Sequence, residues 1–262
     1  MDIDKFKSNI NDHVKKCQGR VSIWIEMDKE IIEINSKQAY PAASLIKVPI
    51  LIEAFRQKEE GKLDVEQLVS ISKEEKVGGA GVLFSLSSKA SFTIHDLMTL
   101  MIIVSDNTAT NQLIDLIGWH EINQCIKALN LTSTRLNRKM MDLDAIKLGK
   151  DNWTSAVNIG TCLKEIYKGS LLSKESKEEI LSMMRKQQFK EKLPAYMNLE
   201  KGWIANKTGE LEGIEHDCAI IQYNGITVYM AVLIDQLSAQ EDGRETIRQI
   251  GKLVNNYLVN TY

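Results

Sequence analysis

Strand-forming sequence in this chain is confined to its two ends, and that segregation limits its fold more than any other feature. Near the front, VSIWIEM (21–27) and EIIEI (30–34) are short β-rich runs separated by Asp28 and Lys29, a spacing that predicts a hairpin. Near the end, WIANKTG (203–209), CAIIQY (218–223) and ITVYMAVLI (226–234) read as antiparallel strands. Asn224-Gly225 joins the last two, and this pair suits the left-handed φ angles of a two-residue turn. Between the two blocks the pattern is helical. From Ser44 onward, Ile46, Ile50, Leu51 and Ala54 follow one stripe. TIHD (93–96), a Thr N-cap with an acid three residues later, opens a helix through Leu97, Leu100, Met101 and Val104. Further helices are predicted from near Thr108 to Gly118 and over 120–129, 155–168, 173–186 and 239–260, with an amphipathic helix at the front of the chain. The two ends therefore share one sheet, and the helices between them form an inserted lobe. The expected fold class is α+β: an antiparallel sheet flanked by terminal helices (1–43 and 201–262) plus an all-α lobe (44–200).

Composition narrows the function. The 262 residues suffice for a substantial core. With 44% apolar and 26% charged residues and a net charge of −2, the chain is neither disordered nor built to bind nucleic acid. MDIDKFKSNINDHVKKCQG has no apolar centre of the kind a signal peptide or membrane span needs. A cytoplasmic location is expected, or a secreted one if an export signal once preceded this sequence. Cys17, Cys125, Cys162 and Cys218 form no CxxC pair, which suggests reduced, buried thiols. His13, His95, His120 and His216 are scattered without an HExxH, so no metal site is expected. KVGGAG (76–81) lacks the GK[ST] ending of a phosphate loop and reads as a flexible loop.

Three short motifs carry chemistry. PAASLIKVP places Ser44 three residues before Lys47, so a helix beginning there puts both side chains on one face. The helix N-terminus favours a developing oxyanion, and a lysine becomes a base near neutral pH once burial or another cation lowers its pKa. The same SxxK spacing recurs from Ser70 to Lys73, inside the solvated SISKEEK. Ser44 differs because VPILIEAF follows it and offers a core against which to seat the lysine. Ser105-Asp106-Asn107 interrupts a buried helix, and Lys207-Thr208-Gly209 lies on a predicted strand. Each has a plainer reading, a capped helix stop and a strand end respectively. Together they make chemical sense: Ser105 could relay a proton, Asn107 could hold an amide, and Lys207 could tune Lys47 and attract a carboxylate.

SLIK, SDN and KTG in this order resemble the penicillin-recognising serine hydrolases, most closely the class A β-lactamases. The resemblance spans nearly the whole chain. It implies an active site between the two lobes, no cofactor, and a monomer acting on a small β-lactam or peptide-like amide. Ser44 would be the nucleophile, Lys47 its base and Ser105 the proton relay. Asn107, Lys207 and Thr208 would bind substrate, and the backbone N–H groups of Ser44 and Glu210 would form the oxyanion hole. Asp106 would be structural.

Two departures from that pattern stand out. Arg138 resembles the arginine of the deacylation loop, and an ungapped reading then puts Met140 where these enzymes keep a water-activating glutamate. Asp144, four residues on, is expected either to replace that glutamate as catalytic base or to leave deacylation slow. Arg138 with Asp151 is expected to close the loop, and Asp142 to face solvent. After KTG, GIEHDCA offers no arginine to grip a substrate carboxylate, leaving Arg244 or Arg248 as replacements. The alternatives to a β-lactamase are a penicillin-binding-protein-like peptidase or esterase, a serine glutaminase-like amidohydrolase, and an acylatable sensor with little turnover.

Overall fold

A computed structural model describes residues 2–28, 30–198 and 200–262. Lys29, in the first hairpin turn, lies outside them. The chain opens with helix α1 (Ile3–Val14), followed by strands β1 (Arg20–Met27) and β2 (Glu30–Ile34). Helices follow in succession: α2 (Lys47–Glu59), α3 (Ile94–Ile103), α4 (Asn107–Ile117), α5 (Trp119–Ala128), the short α6 (Leu143–Lys147), α7 (Ala156–Lys168) and α8 (Lys174–Arg185). Strands β3 (Gly202–Leu211), β4 (Ile214–Tyr223) and β5 (Ile226–Asp235) come next, and α9 (Gln240–Thr261) closes the chain.

The five strands form one sheet in the order β2-β1-β5-β4-β3, antiparallel throughout. The two ends of the chain meet where β1 pairs with β5, from Arg20 opposite Asp235 to Met27 opposite Val228. Residues alternate between two cores. Ile23, Ile25, Ala219, Ile221, Met230 and Val232 pack under α1 and α9, around Phe6, Ile10, Ile247 and Val254. Trp24, Cys218, Ile220, Tyr229, Ala231 and Leu233 face the helices of the middle segment. Burial on both faces explains why β5 reads as a nearly unbroken apolar run.

Local signals set the helix ends. Thr93 and Asp96 form a reciprocal capping box at the start of α3. Asp106 caps α4 by accepting a hydrogen bond from the Ala109 N–H, and Gly118, at φ 98°, ends it. The segment 76–81 is pinned rather than loose. Val77 exchanges hydrogen bonds with the Thr108 hydroxyl, Asn107 Nδ2 donates to the Gly78 carbonyl, and the Asn107 N–H donates to the Ala80 carbonyl. Gly81, at φ 107°, passes so close to Asp106 that a Cβ there would sit 2.2 Å from its Oδ2.

The helical segment meets the sheet at Gly160 of α7, where an added Cβ would lie 2.1 Å from Cε3 of the buried Trp24. Gly160→Ala is therefore expected to destabilise the protein by about 1–3 kcal/mol through overpacking, despite alanine's better helix propensity. Urea unfolding followed by circular dichroism checks this.

Candidate active site

The fold brings SLIK, SDN and KTG to one place. Ser44 lies in a 3₁₀ turn (Ala43–Ile46) that runs directly into α2, so Ser44 and Lys47 sit one above the other. Ala43 is held at φ 45° and Ser105 at φ 55°, both unfavourable for residues with a Cβ, so the packing around both residues must hold these conformations. Ser105 occupies the break between α3 and α4, and Lys207 comes from β3, paired in register with Cys218 of β4. Gly209 lets β3 lie against the 3₁₀ turn, since a Cβ there would be 3.3 Å from that of Ala43.

The centre of the arrangement is the Ser105 hydroxyl. Lys47 Nζ lies 3.0 Å from it and Lys207 Nζ also 3.0 Å. Lys47 further donates to the Ser105 carbonyl (2.7 Å) and Asn107 Oδ1 (3.0 Å), while Lys207 donates to the Thr208 carbonyl (2.8 Å). The Lys47 amine is thus directed at Ser105 and Asn107 rather than at the Ser44 hydroxyl, a looseness common in free active sites. Both lysines are fully buried. Burial first, and then the charge of Lys207, holds Lys47 well below the ordinary lysine range. Burial also brings Lys207 down to about 7, against the opposing pull of Cys218 and Asp217.

Ser44 is half-buried and opens onto two adjoining cavities. One, of about 370 Å³, is lined by Ser44, Ser105, Thr208 and Glu210 together with Phe189 and Glu191. The other, of about 170 Å³, is lined by Ser44, Asn107, Arg138, Met140, Met141 and Leu211 among others. Gly79 and Ala80 wall both, so the segment read from sequence as a flexible loop forms part of the site. Glycine-rich composition concealed this role, because the contacts that pin the segment come from SDN, about 30 residues away.

The loop from Arg135 to Asn152 is held firmly, with Met140 turned inward and Met141 left partly exposed. Arg138, 5% exposed, donates through Nε to Asp151 (2.7 Å). The Asn152 side chain accepts from the N–H groups of Asn137 and Arg138 and donates to the Arg138 carbonyl. Asn111 of α4 grips both backbone groups of Met140, at 2.7 and 3.1 Å. Met140 is buried at the cavity wall.

Asp144 is not part of this wall, and its expected role as base is corrected. It sits in the first turn of α6 with its side chain 88% exposed, paired to Lys147 at 2.9 Å. Asp142 caps the same helix by accepting from the Ala145 N–H, and no residue of α6 is buried. The expected replacements for a carboxylate-binding arginine are also engaged elsewhere. Arg244 donates to Glu215 (2.8 Å) and Glu210 (2.7 Å), and Arg248 to the Glu191 carbonyl, Glu241 and Glu245. Sequence reasoning passed over Lys192, which is fully buried and pairs with Glu215 under the rim. Among the described residues there is no cluster of three or more metal-binding side chains, and no helix is long and apolar enough to cross a membrane.

This sheet-and-helix architecture, with SxxK, SDN and KTG converging on one cavity, defines a serine hydrolase-like protein of the class A β-lactamase fold. The chain belongs to the β-lactamase enzyme family, whose model matches residues 5–258. It is 24% identical to β-lactamase VEB-1 of Pseudomonas aeruginosa over 94% of this chain and 87% of that protein. A β-lactamase from Sphaerobacter thermophilus superposes with a TM-score of 0.92 at 27% identity, covering all of both chains. A leucine-to-glutamate mutant of PBP-A, solved as an acyl-enzyme complex with penicillin G, superposes with a TM-score of 0.89 at 26% identity, covering 98% of this chain and 97% of that one.

If Asp144 lies outside the chemistry, Asp144→Asn should change the lifetime of any acyl adduct by less than about twofold, the range of surface charge effects. Decay of the adduct mass after removal of free β-lactam measures this.

Proposed function

We propose that this protein is a serine hydrolase of the β-lactamase type that opens the β-lactam amide through an acyl-enzyme on Ser44, with hydrolysis of that acyl-enzyme as its slow step. The observation that carries this reading is the pair of buried lysines sharing the Ser105 hydroxyl beside Ser44. A neutral Lys47 uses its two N–H bonds on the Ser105 carbonyl and Asn107, which leaves its lone pair for a proton. That proton comes from Ser44 as its oxygen attacks the lactam carbonyl. The C–N bond then breaks, and the leaving nitrogen takes the Ser105 proton, which Lys47 replaces. Lys207, as the cation, orients the Ser105 oxygen throughout. The backbone N–H groups of Ser44 and Glu210 receive the oxyanion, each donor worth roughly 3 kcal/mol.

Met140 supports a slow second step, because a thioether cannot take a proton from the attacking water. The same observation favours one alternative, a penicillin-binding protein or sensor whose adduct persists. Intact-mass measurement over time after mixing with penicillin G separates them. Adduct formation followed by product release supports the hydrolase, an adduct stable over hours supports the alternative, and the absence of any adduct refutes both. Met140→Glu is expected to shorten the adduct lifetime by about 100-fold or more, the usual contribution of a placed general base.

The pH dependence has a definite sign. Lys207 is cationic below and neutral above about 7, whereas Lys47 loses its proton well below the ordinary lysine range. The second-order acylation constant should therefore fall as pH rises through about 7, as the Lys207 charge is lost. Lys207→Arg should move that limb upward by more than two pH units, since arginine stays charged. Stopped-flow acylation with a chromogenic cephalosporin from pH 5 to 10 tests this.

A further inference from the structure

We infer that the cavity on the Ser105 side of the site selects amides whose leaving-group portion carries a positive charge. This rests on the acylation reading above and adds the substrate's charge. Ser105, the donor to the leaving nitrogen in that reading, lines the larger cavity with Thr208, so the leaving group enters there. The smaller cavity takes the acyl portion and is largely apolar, with Met140, Met141 and Leu211.

Phe189, Glu191 and Glu210 also line the larger cavity. The Glu191 carboxylate is exposed and has no ion-pair partner among the described residues. Arg248 touches only its backbone carbonyl and has its own charge met by Glu241 and Glu245. Glu210 is half exposed and shares Arg244 with the buried Glu215. Lys192, fully buried, lies against Glu215 and 3.8 Å from Glu210. Glu210 and Glu215 are thus balanced by Lys192 and Arg244, and Glu191 remains as a free negative charge in a cavity that Phe189 also lines. Lys207 lies deeper, tied to Ser105 and Thr208, where it serves a carboxylate next to the scissile bond. An ammonium or pyridinium group on the far side of the leaving portion would come among Glu191 and Phe189, a carboxylate and an aromatic residue, both of which favour a cation.

Two cephalosporins provide the test. Cephalothin and cephaloridine share the thienylacetyl side chain and ring carboxylate, and differ at the 3-methylene, where the first carries acetoxy and the second pyridinium. Acylation rate constants are measured by intact mass for the wild type, Glu191→Gln and Glu191→Lys. The cephaloridine-to-cephalothin ratio, which cancels any general loss of activity, should fall about two- to fivefold in Glu191→Gln, the worth of a partly exposed ion pair, and further in Glu191→Lys. In the wild type it should also fall when NaCl is raised from 0.05 to 0.5 M. A ratio unchanged by both variants, with adducts still forming, overturns the inference and leaves the acylation reading standing. No adduct with either compound overturns both.

Discussion

Two ammonium groups cannot both stay charged around one hydroxyl in a dry site, and much else in this structure follows from how that conflict is resolved. Lys47 and Lys207 each lie 3.0 Å from Ser105 Oγ with no exposed surface. Burial depresses both, so the outcome depends on their other neighbours. Lys207 has Asp217 on the adjacent strand drawing a proton toward it, while Lys47 feels Lys207 itself, offset only in part by Asp106. In the proposed acylation the sheet therefore supplies the cation and the helical segment the base. Asp217 is itself buried and raised to about 7, held by Asn206 and the Leu193 N–H, so its support for Lys207 weakens as the pH falls.

The loop around Met140 shows that scaffold and chemistry can be separated. Its frame consists of the Arg138–Asp151 pair, the Asn152 side chain bridging the strands of the loop, and the clasp of Asn111 on the Met140 backbone. None of these contacts depends on the side chain at position 140. A carboxylate or a thioether can occupy that place with the backbone unchanged, so the water-handling function can be lost without loss of fold. With Arg138 nearly buried, removing either partner of its pair with Asp151 leaves an uncompensated charge and costs more than loss of an exposed ion pair, about 0–1 kcal/mol.

The architecture was legible in the sequence because it depends on periodicity and punctuation. The capping box at Thr93, Gly118 after α4 and Asn224-Gly225 between β4 and β5 are local signals, and the structure uses each of them. The convergence of Ser44, Ser105 and Lys207 was legible only because three weak motifs occurred together in order. Asp144 was placed at the site by an ungapped count of four residues from Met140, and such a count does not register where a new helix begins. A new helix starts at the Asp142 cap, and its phase turns Asp144 to solvent. KVGGAG and Lys192 were missed for a different reason. Their partners, Asn107 and Glu215, lie 23 or more residues away or become buried only after the strands pair, and composition encodes neither relation.

The rim explains why counting arginines near KTG misleads. Arg244 stands close enough to Glu210 to suggest a grip for a substrate carboxylate, yet its Nε and Nη2 already serve Glu215 and Glu210. Glu210 thus occupies the guanidinium face that an incoming carboxylate would need. An anionic group at this point must either displace Glu210 from Arg244, leaving that carboxylate only Lys192 at 3.8 Å, or settle deeper against Thr208 and Lys207. The second course requires no broken ion pair, and it keeps the anion next to the cation that orients Ser105. Charge at the mouth and charge at the reaction centre are therefore opposite in sign, and a leaving group with both a carboxylate near the scissile bond and a cation further out matches the two together.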